Sequence, residues 1–221
     1  MRAITELRRL RSPVVTPQAL AWGDGKLWLS SRDLGTLYQM DATKWERTAE
    51  TAEIDPPGVV WAAVLTNDGW RLTIGKGLND DRYIYRYAPD GEFTKLFACP
   101  EFTGSYLSFD GEYLYLSQWY TGEIHRYDSS GKILATINAG AEICGHTYVD
   151  GLLYVLRGRE NKNVPGKGEE WRIARLNPHS EKSQVEDLAV VPFESRSLTF
   201  DGENFWSNHR AANETVMFKL P

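Results

Sequence analysis

The chain has 221 residues, of which 42% are hydrophobic and 25% charged, and its formal net charge is −5. This acidic balance argues against a nucleic-acid partner, which needs a basic face. No stretch approaches the ~20 consecutive apolar residues of a membrane-spanning helix, so we expect a globular chain without a membrane partner. The two cysteines, Cys99 and Cys144, do not form a disulfide framework.

One sequence pattern recurs five times along the chain. Each copy has small and hydrophobic residues, a tight turn at Asp, an aromatic run and then a Gly-x-Ile/Leu segment. The turns fall at Asp24, Asp68, Asp110, Asp150 and Asp201, with spacings of 44, 42, 40 and 51 residues. A period of this length, with several short strands in each unit, indicates a β-propeller.

The predicted elements begin with a spare strand at 4–10 and continue as five repeats of strands A, B, C and D. The third repeat shows the pattern, with strands at 106–109, 113–117, 123–127 and 132–137. The last repeat stops before its strand D, so the N-terminal strand is predicted to complete it and leave no long unpaired edge. The sequence therefore predicts an all-β, five-bladed propeller in one domain of 1–221, with four-stranded antiparallel blades. The blades are expected at about 16–56, 57–100, 101–140, 141–192, and 193–221 plus 1–12.

Two insertions depart from the repeat, at 75–82 and at 157–170. Loops that are longer than a repeat requires are often functional. The alternative is a solvated insertion that the fold tolerates, and the sequence leaves both interpretations open.

The candidate site is the face of the ring that carries the D–A and B–C connections. These segments differ in every blade, whereas the A–B turns are short and repetitive, which favours a binding site at the variable face. Cations and aromatic residues that converge there suit a polar ligand that is anionic or bears a carbonyl group. In the alternative, the arginines pair with Asp33, Asp80, Asp81 and Glu160 and only tie blades together. The predicted ligand-binding residues are Gln18, Arg32, Trp61, Lys76, Ser105, Trp119, Arg157, Arg159, Arg196 and Asn208.

Two histidines are the catalytic candidates, because an imidazole titrates near neutral pH and can act as a general base. His146 and His209 fall at the ends of strands in adjacent blades. A histidine at such a rim is otherwise a hydrogen-bonded structural group. No metal-ligand cluster is evident, although a divalent cation held by main-chain carbonyls in the channel would leave no trace in the sequence.

Three functions are carried forward from these residues. The first is a small-molecule-binding propeller that acts as a lyase, hydrolase or cyclotransferase-like enzyme. The second is an interaction scaffold anchored by Trp119, Tyr120 and Trp171, and the third is a sugar-binding lectin. We expect a monomer. The N-terminus lacks the apolar core of a secretion signal, so we expect a cytoplasmic protein unless a signal has been removed.

Blade by blade, the chain resembles the five-bladed glutaminyl cyclases. Residues 16–20 with 25–31 (TPQAL and GKLWLSS) look like that family's opening TQGL…LYEST segment. Residues 103–111 (TGSYLSFDG) are similar to its EGWGLTxDG segment, and 204–209 (NFWSNH) to its final LFVTGK. More loosely, the LW-x-S and G-x-I-x-R-x-D style of repeat is shared with gluconolactonase and streptogramin lyase propellers.

The resemblance implies the fold rather than the reaction of these cyclases. Leu29 stands where that family has its catalytic Glu. Thr103 and Ser105 replace its Glu and Trp, and His209 replaces its Lys.

Overall fold

The computed structural model describes residues 1–76, 81–159, 170–180 and 184–221. Its strands, in chain order, are β1 (Thr5–Arg11), β2 (Pro17–Gly23), β3 (Lys26–Ser31), β4 (Thr36–Asp41), β5 (Glu46–Glu53), β6 (Val59–Thr66), β7 (Gly69–Gly75), β8 (Tyr83–Tyr87), β9 (Phe93–Ala98), β10 (Leu107–Phe109), β11 (Leu114–Gln118), β12 (Glu123–Tyr127), β13 (Ile133–Asn138), β14 (Glu142–Val149), β15 (Leu152–Arg159), β16 (Glu170–Leu176), β17 (Glu186–Val191), β18 (Ser195–Phe200), β19 (Phe205–His209) and β20 (Glu214–Lys219). The described helices are two short 3₁₀ turns, Pro100–Phe102 and Arg210–Ala212, and neither is long enough to cross a membrane.

The strands form five four-stranded antiparallel sheets, which are the five predicted blades. Four of them follow chain order, namely β2–β5, β6–β9, β10–β13 and β14–β17. The innermost strand of each blade contacts the innermost strand of the next, and β18 contacts β2. The all-β, five-bladed propeller predicted from the repeat is therefore confirmed.

The fifth blade closes the ring with the two ends of the chain. Its strand order is β18-β19-β20-β1, and β1 pairs with β20 from Thr5 opposite Lys219 to Arg11 opposite Glu214. The closure predicted from the missing strand D is confirmed, and it ties residues about 200 positions apart into one sheet.

The recurring Asp turns connect strands A and B. In the third blade, Asp110 Oδ1 accepts hydrogen bonds from the backbone N–H groups of Glu112 and Tyr113 at 2.8 and 2.6 Å. Gly111 has φ +101°, a conformation that glycine adopts without a steric penalty. Tyr115, in the strand that follows the turn, donates its hydroxyl to Asp110 Oδ2 at 2.7 Å. An aromatic residue of the repeat thus stabilises the turn that precedes it.

The hydrophobic core consists of five clusters, one between each pair of neighbouring blades. Trp28 of the first blade packs on Trp70 of the second, with ring centroids 4.9 Å apart. Trp206 fills the junction between the fifth and first blades and is 1% exposed. Most aromatic rings are thus used between blades, and the starts of the innermost strands surround the channel axis.

Candidate functional site

A cavity of about 240 Å³ lies where the innermost strands begin. Because all five blades contribute residues to it, the cavity lies on the axis of the ring, and we call it the axial pocket. Its lining residues are Gln18, Arg32, Trp61, Arg82, Ser105, Tyr106, Trp119, Glu142, Ile143, Cys144, Arg196 and Arg210. Among the described residues, the lining contains four guanidinium groups and one carboxylate, an excess of positive charge in a chain whose net charge is negative.

One side of the pocket is built around Trp61. The Arg82 guanidinium carbon lies 3.6 Å from the centroid of the Trp61 ring, and that of Arg32 lies 5.8 Å from it. Arg82 Nη1 also donates to the carbonyl oxygens of Thr103 and Gly104 at 3.0 and 3.1 Å. Arg82 therefore joins the second blade to the third while it lines the pocket, and it covers part of the Trp61 ring.

The lining also holds two partly buried arginines, Arg196 and Arg210. Arg210 Nη2 donates to Gln18 Oε1 at 2.5 Å, and Gln18 Nε2 donates in turn to the carbonyl of Trp61 at 3.2 Å. Arg196 Nη1 donates to Cys144 Sγ at 3.2 Å, and its Nη2 lies 3.7 Å from a Glu194 oxygen. Burial lowers the pKa of Arg210, and the nearby charges of Arg196 and Arg32 lower it further. Tyr106 and Glu194 oppose this shift, and the pKa of Arg196 is raised despite its burial, by Cys144 first and then by Tyr106 and Glu194.

The aspartates expected to neutralise these cations have other partners. Asp33 accepts a hydrogen bond from the Thr16 hydroxyl, and both Asp81 oxygens accept the backbone N–H of Lys76 at 2.9 Å. Asp80 and Glu160 lie outside the described residues. Within the described ranges, the guanidinium groups of Arg32 and Arg210 form no ion pair with a carboxylate.

Proton-transfer groups in the lining are limited by burial. Burial raises the pKa of the Cys144 thiol to about 12, although Arg196 opposes this shift. Burial also raises the pKa of the Tyr106 hydroxyl. Both groups are therefore protonated at neutral pH, and Glu142 is the carboxylate in the lining that is available as a base.

His146 lies beneath the pocket rather than in its lining. It is 1% exposed, its Nδ1 lies 2.7 Å from the Ser108 hydroxyl, and its Nε2 lies 3.1 Å from the Tyr106 carbonyl. A carbonyl only accepts, so Nε2 carries the proton and Nδ1 accepts from Ser108. Burial lowers the pKa of His146 to about 4. These contacts join strands A of the third and fourth blades, so the geometry gives His146 a structural part.

His209 and Asn208 also lie away from the pocket. His209 Nδ1 lies 3.2 Å from Arg9 Nη1 and 3.4 Å from a Glu214 oxygen, in the sheet that closes the ring. Asn208 is fully buried and accepts a hydrogen bond from the Thr215 hydroxyl at 2.9 Å. Both side chains contact neighbouring strands of the fifth blade, and neither lines the axial pocket.

Arg157 lines a second cavity of about 490 Å³ in the fourth blade. It donates to Asp187 and to the Ala139 carbonyl at 2.8 Å, and Arg172 donates to the other Asp187 oxygen at 3.0 Å. We call this second space the blade-four cavity; it is lined by Gly140, Ala141, Glu142, Arg157, Gly158, Glu170, Arg172 and Asp187. Arg157 is thus paired, as the alternative interpretation of the arginines required, but with an aspartate that the sequence did not single out.

Six of the predicted ligand-binding residues meet in the axial pocket: Gln18, Arg32, Trp61, Ser105, Trp119 and Arg196. Lys76 is exposed and outside the lining, and Arg159 ends β15. Trp171 was expected as a contact anchor, but it is only 7% exposed and belongs to the core between the last two blades.

Six lining residues were not among the predicted set: Arg82, Tyr106, Glu142, Ile143, Cys144 and Arg210. Distance from the turn does not by itself select lining residues, since Tyr106 stands four positions before Asp110 and Trp61 seven before Asp68, and both line the pocket. In the fourth blade, Cys144 lines the pocket and His146, two positions later, does not. Among the described residues, no cluster of three His, Cys, Asp or Glu side chains could hold a metal ion.

Solved structures of similar shape identify the fold. A glutaminyl cyclase from Myxococcus xanthus matches 99% of this chain and 97% of its own, with a TM-score of 0.72 and 10% identity. The chain has the fold of these propellers. A virginiamycin B lyase from Staphylococcus aureus covers 95% of this chain and 82% of its own, with a TM-score of 0.58 and 14% identity. A gluconolactonase from Xanthomonas campestris covers 89% and 69%, with a TM-score of 0.58 and 14% identity.

These matches confirm the resemblance to the three groups of propellers at the level of the fold. No protein-family profile matches the chain, and no curated protein matches it in sequence. At 10–14% identity the likeness carries no residue roles. Leu29, which stands at the family's catalytic Glu, is fully buried in the core between the fifth and first blades.

Proposed function

We propose that this propeller binds a small oxyanion, a carboxylate or a phosphate, in the axial pocket. The observation that carries the proposal is the charge of the lining: among the described residues it contains four guanidinium groups and one carboxylate, and Arg32 and Arg210 form no ion pair within those ranges. Holding cations together in a partly desolvated space is unfavourable unless an opposite charge accompanies them. The planar guanidinium fork matches carboxylate and phosphate oxygens in geometry as well as in charge.

The size of the pocket supports a small ligand. Pockets for drug-sized molecules usually measure about 300–1,000 Å³, and the axial pocket measures about 240 Å³. A metabolite-sized anion therefore fits the space better than a polymer. The five blades contribute different residues to the pocket, which disfavours a lectin with the same sugar site in every blade.

Catalysis on the bound anion is the second candidate, and Glu142 is the observation that favours it. Its carboxylate lies in the same lining as the arginines, which would hold the substrate and stabilise negative charge as it develops. In such an enzyme Glu142 would act as the general base. The enzymes of similar fold make a lyase, hydrolase or cyclotransferase-like reaction a reasonable class to assay. Glu142→Gln should then abolish turnover while the anion still binds.

Isothermal titration with benzoate, inorganic phosphate and methyl glucoside tests the binding proposal. We expect one of the anions to bind and the neutral sugar not to bind. Arg210→Met should weaken the anion by about tenfold to a hundredfold, the usual effect of one charge-assisted hydrogen bond. Arg47→Met removes an exposed arginine that packs over Tyr38, on an outer strand, and it serves as the control.

The outcomes separate the alternatives. Anion binding that Arg210→Met weakens and Arg47→Met leaves unchanged supports the axial pocket. Binding of methyl glucoside with equal affinity contradicts the proposal in favour of a lectin. The absence of binding by either anion contradicts it and favours an interaction scaffold.

A further inference from the structure

Two exposed aromatic side chains adjoin the axial pocket. Trp119 is 42% exposed and lines the pocket, and its neighbour Tyr120 is 46% exposed. Both follow β11, in the connection between strands B and C of the third blade. We call this pair the Trp119–Tyr120 ledge.

The ledge is held in place by contacts to both sides. The carbonyl of Trp119 accepts the backbone N–H of Ile143 at 3.2 Å, which fixes it against another residue of the pocket lining. The two rings meet edge to face, with centroids 5.5 Å apart. Tyr120 also donates its hydroxyl to the Glu101 carboxylate. Rigid aromatic surface of this kind loses little conformational entropy when a ligand covers it.

The ledge differs from the exposed apolar side chains of the outer strands. Leu96 lies on β9, and Ile133 and Leu134 lie on β13, where exposed aliphatic side chains of this kind are common in soluble proteins. The second indole of the pocket, Trp61, is buried and partly covered by Arg82. Trp119 is therefore the aromatic surface in the lining that a ligand can cover.

We propose that the ligand of the axial pocket is an amphipathic anion whose aromatic ring packs against the Trp119–Tyr120 ledge. This inference rests on the proposed function, since the oxyanion is held by Arg32, Arg196 and Arg210. A protein cavity of about 150 Å³ is known to hold benzene, and the axial pocket at about 240 Å³ has room for a ring and its carboxylate. The ring would gain aromatic contact beyond the simple removal of its surface from water.

A matched series of ligands tests this proposal by titration calorimetry. The series is propionate, 3-phenylpropionate and 3-phenylpropanamide, which separates the charge from the ring. We expect 3-phenylpropionate to bind about tenfold tighter than propionate, and the neutral amide to bind much more weakly than the phenyl acid. Trp119→Ala should remove the tenfold gain, so that 3-phenylpropionate and propionate bind this variant with similar affinity.

Two further variants keep the test specific. Leu134→Ala removes another apolar side chain that is 42% exposed, but on an outer strand, and should change nothing. Trp119→Leu retains apolar bulk without a ring and should lose most of the gain, in case the alanine variant unfolds. Circular dichroism confirms that each variant is folded.

Failure of the two proposals gives different results. If neither the acids nor inorganic phosphate bind, the proposed function is wrong and this inference falls with it; if phosphate alone binds, only this inference is overturned. If propionate and 3-phenylpropionate bind with equal affinity, the pocket takes anions and only the aromatic assignment is overturned. Equal binding of the phenyl acid and the amide would overturn the amphipathic anion as the ligand class.

Discussion

The axial pocket and the blade-four cavity both contain arginines and share Glu142 in their linings, yet their charges are organised in opposite ways. In the blade-four cavity, two guanidinium groups meet three carboxylates, and Asp187 accepts from both Arg157 and Arg172. Among the described residues of the axial pocket, four guanidinium groups meet one lining carboxylate, and Glu194 lies 3.7 Å from Arg196 outside the lining. The first arrangement neutralises itself, whereas in the second Arg32 and Arg210 form no ion pair within the described ranges and leave positive charge for a ligand.

The difference shows that an arginine near a channel is not in itself a binding residue. Arg157 hydrogen-bonds across its own sheet and to the preceding connection, so it holds the fourth blade together. Arg210 has one polar side-chain partner, Gln18, among the described residues, and burial lowers its pKa. What distinguishes a binding arginine from a structural one is its partners.

The largest expected effect concerns His146, which lies beneath the pocket and, like Arg157, has a structural part. Its pKa in the folded chain is about 4, below the ordinary value of 6.5, so the unfolded chain binds more protons between these values. The free energy of unfolding should therefore fall as pH decreases from about 6.5 to about 4, by roughly 3 kcal/mol from this residue. Urea unfolding at pH 7 and pH 4 measures the fall in the parent protein and in His146→Gln.

The variant should be less stable at pH 7 but should lose less stability on acidification. His179→Gln, at a histidine whose side chain is 44% exposed, provides the control. An identical pH dependence in the parent and in His146→Gln would show that His146 does not carry this effect.

Removing a structural arginine and removing a pocket arginine should have different effects on the free energy of unfolding and on anion affinity. Arg157→Met leaves Asp187 with one partner and should lower the free energy of unfolding by about 1–3 kcal/mol, with anion affinity unchanged. Arg210→Met removes a charge that Arg196 and Arg32 repel but also leaves the buried Gln18 Oε1 without its donor, so stability should change less than in Arg157→Met while affinity falls. Urea unfolding and calorimetry on the same two variants measure both quantities. A loss of anion affinity in Arg157→Met would show that the ligand binds in the blade-four cavity and not in the axial pocket.

Glu142 gives the smallest expected effect on binding. It is the one carboxylate among the described residues of the axial lining. Glu142→Gln should therefore tighten anion binding about threefold, the effect of ~0.7 kcal/mol between unit charges ~6 Å apart in water. Calorimetry in low salt measures the change, and added salt should reduce it. Weaker binding in Glu142→Gln would mean that the carboxylate contacts the ligand favourably, through a hydroxyl or an amino group.

The fold could be predicted from sequence because its determinants are local and repeated. The turn aspartates mark every blade, and the missing last strand D together with the spare N-terminal strand predicts the closure by β1. Six pocket residues followed from their places at strand ends. Arg82 was missed because it reaches the pocket across Trp61 from the end of an insertion. The pairing of Arg157 was missed because Asp187 lies 30 residues away and meets it only through the register of three strands.

A crystal structure with 4-iodobenzoate tests the central claim most directly, because the anomalous signal of iodine locates the ligand. We predict the carboxylate between Arg32, Arg196 and Arg210 in the axial pocket, and the iodinated ring against the Trp119–Tyr120 ledge. Iodine in the blade-four cavity, beside Arg157 and Arg172, would contradict the claim that the axial pocket, rather than the cavity whose arginines share Asp187, forms the binding site.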